Sequence, residues 1–134
     1  MNETIHLAVN GTLMRGLELN DNLLTIGATF VREAKTAPIY RLFSINDIHP
    51  AMMRVNSRGS EITLEIWAVP LVGLASILLH EPPGLCIGKV RLEDGSEILG
   101  VLGESICCES GQEITQYGGW RNYIAATHKL SHFR

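Results

Sequence analysis

The sequence predicts an α+β domain in which a mixed, largely antiparallel sheet curls into a small barrel with a few helices around it. Segments with strand patterning outnumber those with helical patterning, and the strands follow one another as hairpin neighbours instead of alternating with helices. Size and composition agree. The 134 residues, 46% hydrophobic and 19% charged, suit one core spanning residues 1–134, with no linker, repeat or low-complexity segment to divide it.

Ile5, Leu7 and Val9 alternate with His6, Ala8 and Asn10 as a first strand does, and Gly11 and Gly16 bracket a turn before a more helical stretch, residues 17–24. Residues 28–31 and 38–43 read as strands. Residues 44–50 hold enough Asn, Asp and Pro to be a loop, and a fourth strand is expected over residues 52–55. Over residues 61–69, Ile62, Leu64, Ile66 and Ala68 share one face and Glu61, Thr63, Glu65 and Trp67 the other. Pro70 suits the first turn of a helix whose Leu71, Val72, Leu74, Ile77, Leu78 and Leu79 leave almost no polar side, so burial is expected. The run Glu81-Pro82-Pro83-Gly84 ends it.

The next hairpin can be registered from its charges. A three-residue loop Glu93-Asp94-Gly95, with Gly95 in the left-handed region, sets Val90 opposite Ile98, Arg91 opposite Glu97 and Cys86 opposite Leu102. A two-residue Asp94-Gly95 turn would place Leu92 opposite Glu97 and mix the faces, so the longer loop is preferred. The same register carries Glu104 to the neighbourhood of Gly84. After Gln116, the run Tyr117-Gly118-Gly119-Trp120 leads into a short helix through Tyr123, Ile124 and Thr127.

A net charge of −3 argues against nucleic acid or an anionic membrane as partner. No apolar run approaches the ~18 residues of a membrane span, and no basic cluster precedes an apolar block at the start, so a cytoplasmic location is the default expectation. Cys86, Cys107 and Cys108 cannot all pair within one chain and form no CxxC spacing, so reduced thiols are expected, with the vicinal pair in a small apolar role. His128 and His132 stand four apart, the spacing of a metal pair, but no Glu lies between them and no third ligand suggests itself. A solvated tail is the simpler reading, and neither metal nor cofactor is expected.

Two features carry candidate chemistry. The loop Asn10-Gly11-Thr12-Leu13-Met14-Arg15-Gly16 presents backbone N–H groups where a strand gives way to a helix, a geometry that holds a carboxylate or phosphate and equally serves as a tight turn. Glu81 follows an apolar helix and precedes two prolines, so a stiff backbone and dry surroundings should raise its pKa and suit it to general-base work. Glu104 is expected at the same end of the sheet, where a second carboxylate in one pocket would push the two pKa values apart. Trp120 and Arg121 could stack on or clamp an acid, or simply pack.

Four stretches together resemble the carboxy-terminal domain of allophanate hydrolase. They are Gly11 through Gly16 with Leu19-Asn20; Thr36-Ala37-Pro38-Ile39-Tyr40-Arg41-Leu42; Pro83 through Gly88 leading to Leu92 and Asp94-Gly95; and Tyr117-Gly118-Gly119-Trp120-Arg121-Asn122-Tyr123. The resemblance implies the gamma-glutamyl cyclotransferase-like fold, in which a Tyr-Gly-Ser/Thr-Leu loop binds substrate through its backbone and a glutamate after a helix acts as base. Gly11-Thr12-Leu13 matches that loop, and Glu81 falls where the glutamate is expected. Asn10 stands in place of the tyrosine, and Leu13 where the allophanate hydrolase branch has a histidine.

On this resemblance the substrate is a small carboxylated amide or urea-derived molecule, with N-carboxycarbamate-type decarboxylation as the reaction. Gly11, Thr12, Leu13, Met14, Tyr40, Arg41, Tyr117 and Arg121 would bind it, Arg41 or Arg121 as anion partner, and Glu81 and Glu104 would be catalytic. Two alternatives stand beside it: cyclotransfer to 5-oxoproline with Glu81 as base, and a non-catalytic module that partners an amidase or pairs as a homodimer.

Overall fold

The structure, a computed structural model, describes residues 3–131, with side chains to residue 127. His128 and His132, the spacing that suggested a metal pair, therefore lie outside the residues whose side chains it describes. Strands β1 (Thr4–Val9), β2 (Thr29–Lys35), β5 (Thr63–Pro70), β6 (Leu85–Arg91) and β7 (Glu97–Gly103) form one sheet in the order β2-β5-β1-β7-β6. Within it the β1–β7 pairing is parallel and the others antiparallel. A second, antiparallel sheet joins β3 (Tyr40–Ile45) to β4 (His49–Arg54) and β8 (Gln112–Glu113). Helices α1 (Asn20–Thr25), α2 (Leu71–His80), α3 (Ser105–Glu109) and α4 (Trp120–Ser131) complete it.

The five-stranded sheet curls because its two edges meet at one end. Thr36 bridges Leu92, Ala37 N–H donates to the Arg91 carbonyl and Glu93 N–H to that of Lys35, joining the end of β2 to the β6–β7 hairpin. The barrel stays open beyond that seam. Its core is filled from both sides of the curl by Leu7, Val9, Leu42, Met52, Ile62, Leu64, Val69, Val90 and Ile114, all 0–1% exposed.

The β6–β7 register is the one the charges dictate: Val90 faces Ile98, Arg91 faces Glu97 at 3.6 Å, and Cys86 faces Leu102. Gly95, at φ +88°, closes the three-residue loop by donating its N–H to the Leu92 carbonyl.

Two expectations need correction. Residues 44–50 are not a loop, because Asn46 and Asp47, both at positive φ (55° and 58°), make a tight hairpin turn in which Ile48 N–H meets the Ile45 carbonyl at 3.0 Å. Two residues at positive φ match the right-handed twist of the strands, so β4 begins at His49, three residues earlier than expected. Both faces of β5 are covered. Glu65 and Trp67 are 1% and 2% exposed, since β5 lies between β2 and β1 and other residues cover it on both sides.

The second correction concerns α2. Gly73 and Ile77 alone are buried on it, while Val72 is 95% and Leu79 83% exposed. The helix sits on β5 and Ile26, so close that a Cβ on Gly73 would lie 2.8 Å from Ile26 Cβ, and no described residue covers its other face. An apolar sequence fixes that a helix wants cover, not that its own chain supplies it.

Gly95→Ala should lower stability by about 1 kcal/mol in chemical denaturation, the cost of a Cβ in the left-handed region, because open space around the site removes any clash. Gly95→Asn should recover part of that loss.

Candidate active site

A cavity of about 470 Å³ opens where the end of β1, the β3–β4 turn and the end of α2 converge. Its walls include Asn10, Gly11, Thr12, Leu13, Asp47, Ile48, His49, Pro50, His80, Glu81 and Val101. Each wall is fixed by a local cause.

On the β1 side the chain leaves the sheet at Asn10, which is buried and donates from Nδ2 to the Val101 carbonyl at 3.0 Å. Gly11 then passes so close to Pro50 that a Cβ would stand 2.5 Å from its Cδ. Asn20 holds the far end of the loop, its Nδ2 donating to the Leu13 carbonyl at 2.8 Å. The N–H groups of Gly11, Thr12 and Leu13 donate to no protein acceptor among the described residues, so they are available to an anion.

Behind this loop lies Glu65. Its Oε1 accepts from Arg15 N–H (2.9 Å) and Trp67 Nε1 (3.1 Å), and its Oε2 from Arg15 Nε (3.0 Å) and Arg121 Nη2 (3.2 Å). Burial by itself would raise this carboxyl, but the Arg15 N–H, the Trp67 indole and the Arg15 guanidinium outweigh it and hold the pKa below the usual glutamate value. Arg121 also donates to the Arg15 carbonyl at 2.9 Å, so α4 and the loop share one anchor.

Glu81 forms the opposite wall. Its N–H caps α2 on the Leu78 carbonyl, its backbone is extended ahead of Pro82 and Pro83, and no side-chain hydrogen bond or ion pair to its carboxyl is found among the described residues. Burial pushes its pKa up, and its place at the negative end of a helix works in the same direction. The third wall is the tight β3–β4 turn, where Asp47 accepts from Tyr123 Oη and Ser44 Oγ, both at 2.6 Å.

Residues 5–125 match the family described as Allophanate hydrolase C-terminal domain. The chain belongs to this family. It is 36% identical over 132 residues to urea amidolyase of Saccharomyces cerevisiae, covering 90% of this chain and only 7% of that protein. A crystal structure of a uropathogenic E. coli-specific protein is 56% identical, with a TM-score of 0.89 and coverage of 91% of this chain and 96% of that one. Allophanate hydrolase of Kluyveromyces lactis gives 30% identity and a TM-score of 0.88, covering 92% of this chain and 21% of that one. An AIG2-like protein of Mus musculus, 21% identical with a TM-score of 0.57 over 75% of this chain and 76% of that one, shares the fold, which is the gamma-glutamyl cyclotransferase-like class the sequence predicts.

Within this allophanate hydrolase C-terminal domain, the cavity brings Gly11, Thr12 and Leu13 together with Glu81 and leaves the other candidates elsewhere. Met14 is buried and faces a smaller cavity of about 150 Å³ beside Trp120 and Arg121. Glu104 does reach Gly84, donating its N–H to that carbonyl at 2.8 Å, but its exposed side chain lies outside the site, so the two carboxylates do not share a pocket. Tyr40 is fully buried and braces the seam, its hydroxyl accepting from Arg91 N–H at 2.9 Å.

Arg41 holds the Ser57 and Arg58 carbonyls and lies 3.9 Å from Glu113, and Tyr117 packs edge-on against Tyr123. Neither Arg41 nor Arg121 lines the cavity as an anion partner. The three thiols are free, and burial together with Cys107, Cys86 and Glu109 pushes Cys108 up to about 11. Sequence reasoning missed Glu18, Asp47, His49 and His80 in the walls. The Asn46-Asp47 pair between Ile45 and Ile48 was the available signal for two of them.

The two carboxylates Glu65 and Glu81 should respond oppositely to amidation. Glu65, with its pKa lowered, contributes stability above the ordinary glutamate range that is lost as pH falls through its folded value. Glu65→Gln should therefore cost roughly 1.5 kcal/mol at neutral pH, the low end for bonds to a charged group because Arg15 and Arg121 are about half exposed, and the cost should shrink on acidification. Glu81 is raised, so its ionisation works against folding as pH rises through the folded value, and Glu81→Gln should leave the neutral-pH melting temperature unchanged or higher, with no difference at low pH.

Proposed function

We propose that this domain binds a small carboxylated amide or urea-derived compound between the Gly11–Leu13 loop and Glu81, and that Glu81 moves the proton in an N-carboxycarbamate-type decarboxylation. The reading is carried by one juxtaposition: backbone N–H groups without a protein acceptor among the described residues, and a carboxyl raised by burial, both in the walls of the same cavity. The loop holds the carboxylate that stays. At the other end the N–C bond to the departing carboxylate breaks, its electron pair goes to nitrogen, and that nitrogen takes the proton of the Glu81 carboxyl. Carbon dioxide and carbamate leave, and Glu81 is left ionised until solvent returns a proton. A raised pKa keeps the acid form populated to higher pH than an exposed glutamate would.

A thermal-shift series with ureidocarboxylates, simple diacids, their monoamides and gamma-glutamyl amino acids tests this. A bound ligand at 100 times its dissociation constant should add about 2.7 kcal/mol, and Gly11→Ala, which drives a methyl into Pro50, should remove the shift. Turnover should disappear in Glu81→Gln. A response confined to gamma-glutamyl compounds would instead favour cyclotransfer with Glu81 as base.

The exposed face of α2 favours a second reading, a module that partners an amidase. Leu71, Val72, Leu78 and Leu79 present apolar surface in a row, at 46%, 95%, 43% and 83% exposure. Val72→Glu/Leu79→Glu should abolish co-purification with an amidase and leave the fold intact. A partner that stays bound to the variant sinks this role for α2.

A further inference from the structure

We infer that the ligand of this cavity carries an apolar substituent, an alkyl or aryl group, on the atom between its two acidic ends, and that Ile48, Leu19 and Leu85 seat it. This rests on the reading above that the cavity is the substrate site, and it extends the substrate class to N-substituted relatives of N-carboxycarbamate.

The first observation is a mismatch of size. N-carboxycarbamate fills roughly 100 Å³, the share of three or four waters at ~30 Å³ each, whereas the cavity holds about 470 Å³. Most of that space is left over. The walls around it are rich in apolar residues: Val9, Leu13 and Val101, each at most 5% exposed, form the inner surface, and Leu19, Ile48 and Leu85, more exposed, lie toward solvent. Water in such a space finds few partners, so an apolar group displaces it at little cost.

The second observation is where those side chains stand. The loop over Gly11–Leu13 forms one wall and Glu81 the opposite one, so a head group held by both leaves the third wall, the β3–β4 turn, to a substituent on its central atom. Ile48 belongs to that turn. It follows two residues at positive φ, a place where polar residues are the rule, yet it is an isoleucine 68% exposed that lines the cavity. So exposed a side chain contributes little to the fold. Leu19, 36% exposed, stands at the N-cap of α1, a position that favours Ser, Thr, Asp or Asn, and lines the same cavity. Two positions where local rules favour polar residues thus bring apolar side chains to one space, and Leu85, which opens β6 just past Glu81, joins them.

Malonate, with CH₂ in place of NH, is a stable stand-in for the head group, and 2-butylmalonate adds the substituent at the central atom. Their affinities are to be measured by calorimetry at one pH where both are fully ionised, in the unaltered protein and in Leu19→Ser/Ile48→Ser. Butylmalonate should bind roughly tenfold more tightly than malonate, with a more negative heat capacity of binding. The serine pair should lose most of that preference, read as the ratio of the two affinities within one protein. Serine suits the cap of α1 and Ile48 is exposed, so the unliganded variant should melt as the parent does; if it melts lower, Ile48→Ser alone makes the same comparison. Malonate binding as tightly as butylmalonate, or a preference that survives the serine substitutions, overturns the inference and leaves the site standing. Failure of both ligands to bind, or malonate binding indifferent to Gly11→Ala, overturns the site and the inference with it.

Discussion

Glu65 is a carboxylate inside a sheet, and the loop wall of the site is referred to it. It stands on the interior strand β5, accepts from the main chain and side chain of Arg15 on the loop after β1, and accepts from Arg121 at the start of α4. A buried charge is tolerable only where hydrogen bonds replace its water, and Arg15, Trp67 and Arg121 supply four. The consequence is geometric. With Arg15 fixed at one end of the loop and Asn10 at the other, Gly11 to Leu13 line the cavity with little freedom before any ligand arrives. Binding then orders little further backbone.

The opposite wall depends on a different constraint. The two prolines after Glu81 and the short turn to Gly84 stop α2 at a set place, so the carboxyl is delivered to the cavity by the length of a helix and not by partners of its own. This explains the contrast between two glutamates in one small domain. Glu65 is surrounded by donors and stays ionised, while Glu81 is desolvated and raised. The first suits a brace and the second a proton carrier.

The α2 helix joins the site to the outside. Its last residues, His80 and the capping Glu81, line the cavity, and its free apolar side, with Val72 and Leu79 almost fully in solvent, begins a turn away. The chain spans 21% of the Kluyveromyces lactis enzyme and 96% of the uropathogenic E. coli-specific protein, so the same fold occurs within a long chain and as nearly the whole of a short one. A surface that covers α2 would lie beside the cavity mouth, and cover and access would then be coupled through one helix.

The sequence by itself determined what depends on neighbours along the chain. Alternation located β5, charge pairing fixed the β6–β7 register through Arg91 and Glu97, and the prolines fixed where α2 ends and hence where Glu81 stands. The resemblance carried the family and the loop. Tertiary structure alone decided which groups share a space. Glu104 followed the expected register to Gly84 yet its side chain lies outside the cavity, and Arg41 and Arg121, the anion partners expected on the resemblance, are held by carbonyls and by Glu65. His49 and His80 entered the site through a two-residue turn at positive φ and a helix end, which no periodicity announces. Periodicity says which side of an element a residue takes. What lies across that side is settled by the order of strands in the sheet, where residues far apart in sequence first meet.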